Sequence, residues 1–123
     1  MKGIIIGVNN TLTEREFESG GELDFLQGAV GGYIQIVPHN APINLSVYCN
    51  EEGKITDPPL EPNMLATALF SGLLGPSDYL AGPVVLTGPI DDEGYTTGIS
   101  DRQCEQLYDL VARIAHTYQV VPS

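Results

Sequence analysis

Two acidic turns carry the side chains with the clearest capacity for chemistry. Glu51-Glu52 and Asp91-Asp92-Glu93 each precede a glycine and place neighbouring carboxylates in segments typical of turns. Carboxylate oxygens bind hard divalent cations, but a stable site needs several oxygens in a defined cage, and neither segment has the spacing of a calcium-binding loop. The two turns could share a cation if the fold brought them together. Solvated turns are the favoured interpretation, and we predict no metal site.

The histidines and cysteines are few and isolated. His39 lies in a proline-bracketed segment and could act as a general base, but the nearby Ser46 and Cys49 have no nucleophile motif around them. His116 is expected in the last turn of the final helix, where a cation complements the helix dipole. Cys49 and Cys104 lack zinc-ligand spacing and fit small buried apolar groups. We therefore predict no catalytic residue and no cofactor, and an enzyme is the less favoured class.

A glycine-rich phosphate-binding loop is not predicted. The chain lacks the Gly-x-x-x-x-Gly-Lys-Ser/Thr pattern of nucleotide-binding loops. Residues 28–32 contain three glycines, but they follow a predicted helix and precede a predicted strand. Phosphates bind at the start of a helix, so the order is reversed, and helix termination is the favoured interpretation.

Tyrosines could supply a binding platform, because each combines an apolar ring with a polar hydroxyl. Tyr33 and Tyr48 lie on neighbouring predicted strands and would form such a platform if both faced outward. Burial in the core, complete or partial, is the favoured interpretation. Together with the acidic turns, the tyrosines complete a set of candidate binding residues: Tyr33, Tyr48, Asn50, Glu51, Glu52, Asp91, Asp92 and Glu93.

The net charge of −11, from 16 acidic and 5 basic residues, restricts the possible partners. A field of this sign repels phosphate backbones, so direct nucleic-acid binding is not expected. It suits solubility, or docking onto a basic protein surface.

Length and hydropathy indicate a single domain over residues 1–123, long enough to bury a core. The longest later apolar stretch, residues 64–75, is too short to span a bilayer. The N-terminus has one lysine and a short isoleucine run, without the apolar length of a signal peptide. We therefore expect a cytoplasmic protein that does not enter a membrane.

Apolar periodicity predicts the strands that must position these residues. Residues 3–8 form a continuous apolar run, typical of a strand buried on both faces. Residues 33–37 and 43–49 are rich in β-branched and aromatic side chains, which predicts an antiparallel hairpin with a loop of about four or five residues. The second strand alternates through Val47, so one of its faces is expected to be buried. Gly53, in the next turn, is expected to take the left-handed conformation.

Other segments give weaker strand signals. Residues 83–87 predict a further β-branched strand. Residues 11–18 fit a short strand or a loop, and residues 95–99 a short edge strand.

Three helices are predicted, near residues 22–31, 62–74 and 100–117. The last begins with a capping box, in which Ser100 and Gln103 satisfy each other's backbone amides. The 62–74 helix is apolar on almost every side, more than a small domain can cover, so we hypothesise a homodimer in which this helix or a sheet edge takes part. The predicted fold class is α+β, a mostly antiparallel sheet packed by helices.

Four segments resemble one family. The runs are LQGAVGGYIQIV, NEEGK, PPLEPNMLA and AGPVVLTGPIDDEG, and the most specific pieces are VGGYI and the NEEGK that follows it at a strand-length interval. They are similar to small acidic proteins of bacteriophages and actinobacteria that are classified as a domain of unknown function. The resemblance covers roughly residues 1–111. It implies a phage or mobile-element setting, with the host cytoplasm as the location, and it implies no activity.

The leading functional hypothesis is a non-enzymatic accessory protein of phage type that binds and modulates a host protein. Its acidic clusters could dock onto a basic surface in a counter-defence role, as mimics of DNA do. One alternative is an oligomeric sponge that sequesters a nucleotide, which would need a local positive group. The other is an uncharacterised enzyme, for which we find no motif.

Overall fold

A six-stranded mixed sheet organises the chain, and the computed structural model describes it for residues 1–122. The strand order is β3-β4-β5-β1-β2-β6. The strands are β1 (Lys2–Ile6), β2 (Thr11–Glu16), β3 (Ile34–Ile36), β4 (Ser46–Asn50), β5 (Val84–Thr87) and β6 (Gln119–Val121). The helices are α1 (Glu22–Val30), α2 (Met64–Phe70) and α3 (Asp101–Ile114), with a 3-10 turn, Ser71–Leu73, directly after α2. The predicted α+β class is confirmed.

The first strand of the chain lies inside the sheet. β1 pairs antiparallel with both β2 and β5, so that Ile5 is opposite Thr13 on one side and Val85 on the other. The β3–β4 and β4–β5 pairs are also antiparallel, whereas β2 and β6 run parallel. The mostly antiparallel sheet is confirmed. β6 was not predicted, because three residues carry too little periodicity.

Helices cover the sheet on both faces. The main core lies between one face and helices α2 and α3, where Ile4 and Ile6 of β1 are fully buried. On the opposite face α1 packs Leu26 and Val30 against β4 and β5, and Ile5 joins that smaller cluster. Because successive side chains of a strand point to opposite faces, the apolar run of β1 serves both layers. The prediction of a strand buried on both faces is confirmed.

The hairpin is antiparallel as predicted, but its strands are shorter and its loop is longer. β3 and β4 are joined by residues 37–45 rather than by four or five residues. His39 closes this loop: its Nε2 donates to the Leu45 carbonyl at 2.8 Å, and its Nδ1 accepts from the Ala41 amide at 3.1 Å. Ile43 and Leu45 leave the sheet and enter the main core instead. Ile43 and Leu45 therefore resembled strand residues in the sequence, although they are buried residues of a loop.

The second hairpin strand is buried on both of its faces, whereas burial of one face was predicted. Ser46 to Cys49 are all buried, because β4 lies inside the sheet with helices on both of its faces. Val47 and Cys49 face the main core, and Tyr48 faces α1.

The helix positions are confirmed, and their ends are corrected. α1 ends at Gly31, whose φ of +79° is the left-handed cap expected there. α2 starts after Asn63 rather than at Pro62, and its regular turns stop at Phe70 rather than at residue 74. α3 has the predicted capping box of Ser100 with Gln103, but it ends at Ile114 rather than at residue 117.

Two smaller predictions are also corrected. Gly53 does not take positive φ; the left-handed glycine of an acidic turn is Gly94, with φ of +88°. Residues 95–99 contribute a single bridge, between Ile90 and Thr96, rather than an edge strand.

Candidate functional site

A cleft of about 320 Å³ beside the β3 edge of the sheet is the candidate site. This edge cleft is lined by residues 35–38, 49–55, 74 and 78–81. Gln35, Val37 and Cys49 form its floor, because alternate residues of β3 and β4 point to that face. Burial raises the pKa of the Cys49 thiol, which keeps it protonated and weakly nucleophilic. The cleft therefore offers a surface for contact rather than a nucleophile.

Asn50 shapes the acidic wall of the edge cleft. Its side-chain amide donates to the Val30 carbonyl at 3.1 Å and accepts from the Glu52 amide at 2.8 Å. Gly32 approaches so closely that a Cβ there would lie 2.9 Å from the Asn50 nitrogen. Asn50 thus ties the turn after β4 to the end of α1, and it leaves the side chains of Glu51 and Glu52 exposed.

The opposite wall of the cleft is joined to this turn by Lys54, whose partner the sequence did not reveal. Lys54 forms an ion pair with Asp78, and its Nζ lies 4.5 Å from the ring centroid of Tyr79. The hydrogen bond from Lys54 lowers the pKa of the Asp78 carboxyl, and the Tyr79 amide adds to the effect at 2.8 Å. The charge of Lys54 is therefore balanced within the cleft. The acidic residues of NEEGK identified the turn, but no residue near Lys54 in the sequence indicated that its partner is Asp78, 24 positions later.

Tyr33 and Tyr48 do not form a shared binding platform. Tyr33 is 68% exposed and Tyr48 is 5% exposed. The hairpin register places Tyr48 opposite Ile36 on the α1 face, whereas Tyr33 lies just before the start of β3. Tyr48 is a core residue, and Tyr33 stands alone beside the acidic turn, where its carbonyl accepts the Glu51 amide at 2.9 Å.

The second acidic turn lies at the other end of the sheet. Adjacent antiparallel strands end on opposite sides, so the turn after β4 and residues 91–93 after β5 are separated by the length of the strands. Asp91 organises its own turn by accepting from the amides of Glu93 and Tyr95 at 3.0 and 2.8 Å. The fold does not bring the two turns together to share a cation. Among residues 1–122, no three His, Cys, Asp or Glu side chains are grouped closely enough to hold a metal ion.

His39 has a structural role, because both of its ring nitrogens are occupied by hydrogen bonds and neither is available for proton transfer. Both ring nitrogens are hydrogen-bonded to the backbone of its own loop, and the ring packs edge-on against Phe70 with centroids 5.1 Å apart. The loop also borders a wider hollow of about 640 Å³, lined by residues 36–39 and 41–47. That hollow is larger than the edge cleft, but it contains no Asp, Glu, Lys or Arg. We therefore place the candidate site at the edge cleft.

Comparison with known families gives one match. The model of a family described as Domain of unknown function (DUF3846) matches residues 1–112. The chain belongs to the DUF3846 family. No curated protein and no solved structure matches it significantly. The DUF3846 match includes the edge cleft and stops before β6. Within residues 1–122, no helix has both the length and the hydropathy to cross a membrane.

A polar cluster of Lys2, Glu14 and Tyr108, within the region matched by the DUF3846 model, was not predicted from the sequence. Glu14 of β2 accepts from the Tyr108 hydroxyl at 2.5 Å and pairs with Lys2 at 3.1 Å. The Tyr108 hydrogen bond lowers the pKa of the Glu14 carboxyl, while burial and Glu14 raise the pKa of the Tyr108 hydroxyl. The hydroxyl therefore stays neutral and the carboxylate charged, which suits a link between α3 and the sheet. The two residues are 94 positions apart, so no local pattern could reveal them.

Proposed function

We propose that this DUF3846 chain is a non-enzymatic binding protein that docks onto a basic surface of another protein through the edge cleft. The observation that carries the proposal is the exposed pair Glu51 and Glu52 on the rim. Among residues 1–122, no lysine or arginine is within ion-pair distance of either carboxylate. Beside them Ile55 is 79% exposed. Uncompensated carboxylates next to an apolar side chain suit a partner that is basic and partly apolar.

The charge of the whole chain supports the same partner. Of its 5 basic residues, Lys2 and Lys54 are paired with carboxylates of the chain itself. The net charge of −11 steers basic surfaces toward the molecule and repels nucleic acid. Rim charges of this kind act mainly on the association rate and on the choice of partner.

The setting we propose is that of a phage accessory protein in its host. A basic host protein that binds nucleic acid would present the complementary surface, and occupying it would serve a counter-defence role. The similarity to phage and actinobacterial proteins noted for VGGYI and NEEGK supports this setting. The proposed location is the host cytoplasm.

The charge of the edge cleft argues against the nucleotide sponge. Its lining contains the carboxylates of Glu51, Glu52 and Asp78 against one ammonium, that of Lys54. Lys54 is already paired with Asp78, so a nucleotide phosphate would meet no free positive group there.

A charge-reversal experiment tests the proposal. Glu51→Lys with Glu52→Lys reverses the rim, and Asp92→Lys with Glu93→Lys makes the same charge change at exposed positions at the opposite end of the sheet. Proteins captured from a bacterial lysate by the wild type are purified and their affinities measured for all three forms. We expect the rim variant to bind at least tenfold more weakly and the control variant to bind within about threefold of the wild type.

Salt dependence and nucleotides complete the test. Affinity should fall between low and physiological ionic strength, because the screening length shortens from about 30 Å to about 8 Å. Equal loss in both variants would indicate a non-specific effect of net charge and contradict docking at the cleft. Calorimetric binding of a nucleotide that survives reversal of Glu51 and Glu52 would favour the sponge instead.

A further inference from the structure

β3 leaves backbone groups free along one edge of the sheet. It is the terminal strand of the sheet, and Tyr33 and Val37 at its two ends hydrogen-bond toward β4 at 2.9 and 2.8 Å. In an antiparallel pair, alternate residues direct their N–H and C=O groups at the partner strand. The residues between these positions, Ile34 and Ile36, therefore direct theirs away from the sheet. Within residues 1–122, neither makes a backbone hydrogen bond outside the β3–β4 pair.

The two faces beside this edge differ in chemistry. On the α1 face, the side chain of Ile36 is 52% exposed, and Ile34 packs against the α1 cluster. On the other face, Gln35 lines the edge cleft together with Glu51 and Glu52. A strand added to this edge would meet an apolar strip on one face and carboxylates on the other.

We propose that the partner supplies an extended segment that pairs with the free edge of β3 and alternates basic with apolar side chains. Such strand addition takes affinity from main-chain hydrogen bonds and specificity from alternate side chains. Apolar residues opposite Ile34 and Ile36 cover the strip on the α1 face. A lysine or arginine opposite Gln35 enters the cleft beside Glu51 and Glu52. This binding mode rests on the proposed function, since the same rim selects the basic partner.

The negative charge of the chain favours a segment of another protein, rather than a second copy of this chain, as the strand that pairs with β3. Each copy carries a net charge of −11, so pairing two β3 edges would bring two acidic rims together. The edge is also short, because Pro38 follows two residues after Ile36 and has no N–H to donate. Pairing is thus confined to Ile34–Ile36, and the side chains of the segment must supply much of the affinity.

Two peptides of equal composition separate strand addition from simple charge attraction. One alternates lysine and valine, and the other places all its lysines before its valines. The wild type should bind the alternating peptide on the order of tenfold more tightly, because only that peptide can satisfy the β3 edge and both faces at once. Hydrogen exchange of the Ile34 and Ile36 amides should slow when the alternating peptide binds.

A proline variant removes one edge donor while leaving the hairpin bonds in place. Ile36→Pro deletes the outward N–H, and proline is tolerated on an edge strand where the N–H faces solvent. Ile36→Ala is the matched control, since it loses the side chain and keeps the amide. Ile36→Pro should bind the alternating peptide about fivefold more weakly than Ile36→Ala. Methylating the peptide's own amides on the side that faces β3 gives the same comparison with the wild-type protein.

The outcomes distinguish this binding mode from the proposed function. Strand addition is overturned if both peptides bind with equal affinity and if neither Ile36→Pro nor peptide methylation changes that affinity. If the same binding is lost in the variant with Glu51→Lys and Glu52→Lys, acidic docking stays in place. Absence of binding by either peptide at low salt overturns both. Tighter binding of the alternating peptide with protection of Ile34 and Ile36 supports the inference.

Discussion

At the residue scale, Glu14 shows how a charge is kept inside the fold of an acidic protein. Its side chain is 14% exposed, and it holds both the Tyr108 hydroxyl and the Lys2 ammonium. These hydrogen bonds lower the pKa of Glu14 and raise the pKa of Lys2, while burial and the hydrogen bond to Glu14 raise the pKa of Tyr108. Each shift favours the protonation state that keeps the cluster hydrogen-bonded.

This cluster predicts a window of pH over which it stabilises the fold. A lowered carboxyl pKa contributes stability above the ordinary value of 4.5, and that contribution is lost as pH falls through the folded value. A raised hydroxyl pKa contributes below the ordinary value of 10.0 and is lost at higher pH. Glu14→Gln should therefore cost about 1–3 kcal/mol near pH 7 and progressively less below pH 4.5.

Urea denaturation of Glu14→Gln and the wild type across pH measures this effect. Glu16→Gln is the matched control, because it removes the same charge from an exposed position on the same strand and should change stability by less than about 0.5 kcal/mol. A stability difference for Glu14→Gln that is constant from pH 3 to pH 7 would contradict the assignment.

At the element scale, the start of α2 depends on one buried amide. Asn63 is fully buried, its Nδ2 donates to the carbonyls of Ile6 and Gly82 at 2.8 and 2.9 Å, and its Oδ1 accepts from the Ala66 amide at 3.1 Å. One side chain thus caps α2 and fastens it to the end of β1 and to the segment before β5.

Removing that amide should weaken three elements together. Asn63→Ala removes the buried hydrogen bonds to the carbonyls of Ile6 and Gly82 and to the Ala66 amide, so we expect a loss of about 3 kcal/mol in the free energy of unfolding. Asn44→Ala, at an exposed position, should change it by less than about 0.5 kcal/mol. Chemical denaturation of both variants checks the prediction, and similar midpoints for the two would refute it.

Elements were predictable from sequence where the signal is local. The capping box of Ser100 and Gln103 and the glycine cap at Gly31 depend on residues within a turn of each other, and both were found. Asn63 was missed because Pro62 gave a competing start signal and the acceptors of its amide are distant in sequence. Burial of β4 on its second face was not predicted, because an alternating pattern indicates one buried face. The strand order shows that β4 lies inside the sheet, where helices cover both of its faces.

The candidate site was predictable only in part for the same reason. Asn50, Glu51 and Glu52 were found as a local turn, and the structure places them together on the edge cleft. The wall opposite them, with Asp78, comes from a segment whose position depends on tertiary packing. The orientation of Tyr48 depends on hairpin register, since a shift of one residue moves a side chain to the other face.

At the scale of the whole molecule, α2 borders an apolar surface that carries no acidic residue. A shallow hollow between α2 and the end of α3 is bordered by Met64, Ala68 and Ile114, with no Asp or Glu in its lining. Met64 is 67% exposed. In a chain with 16 acidic residues, a surface without carboxylates is where two copies meet with the least local repulsion.

We predict that the chain forms a homodimer through this surface. Light scattering of the wild type at high micromolar concentration should give twice the chain mass of 13.2 kDa. Met64→Asp should shift the mass toward the monomer, whereas Leu23→Asp, which adds the same charge at an exposed position of α1, should not. A monomeric wild type at that concentration would contradict the prediction.

The place of β5 in the sheet has a consequence for the order in which the chain folds. As the protein is synthesised, the β1–β2 and β3–β4 pairs can each form soon after their residues emerge, but nothing joins them until Val84–Thr87 is made. Until then β1 and β4 each expose an unpaired edge to other nascent chains. Insertion of β5 between them closes both edges at once, so contacts distant in sequence form late and set the folding rate.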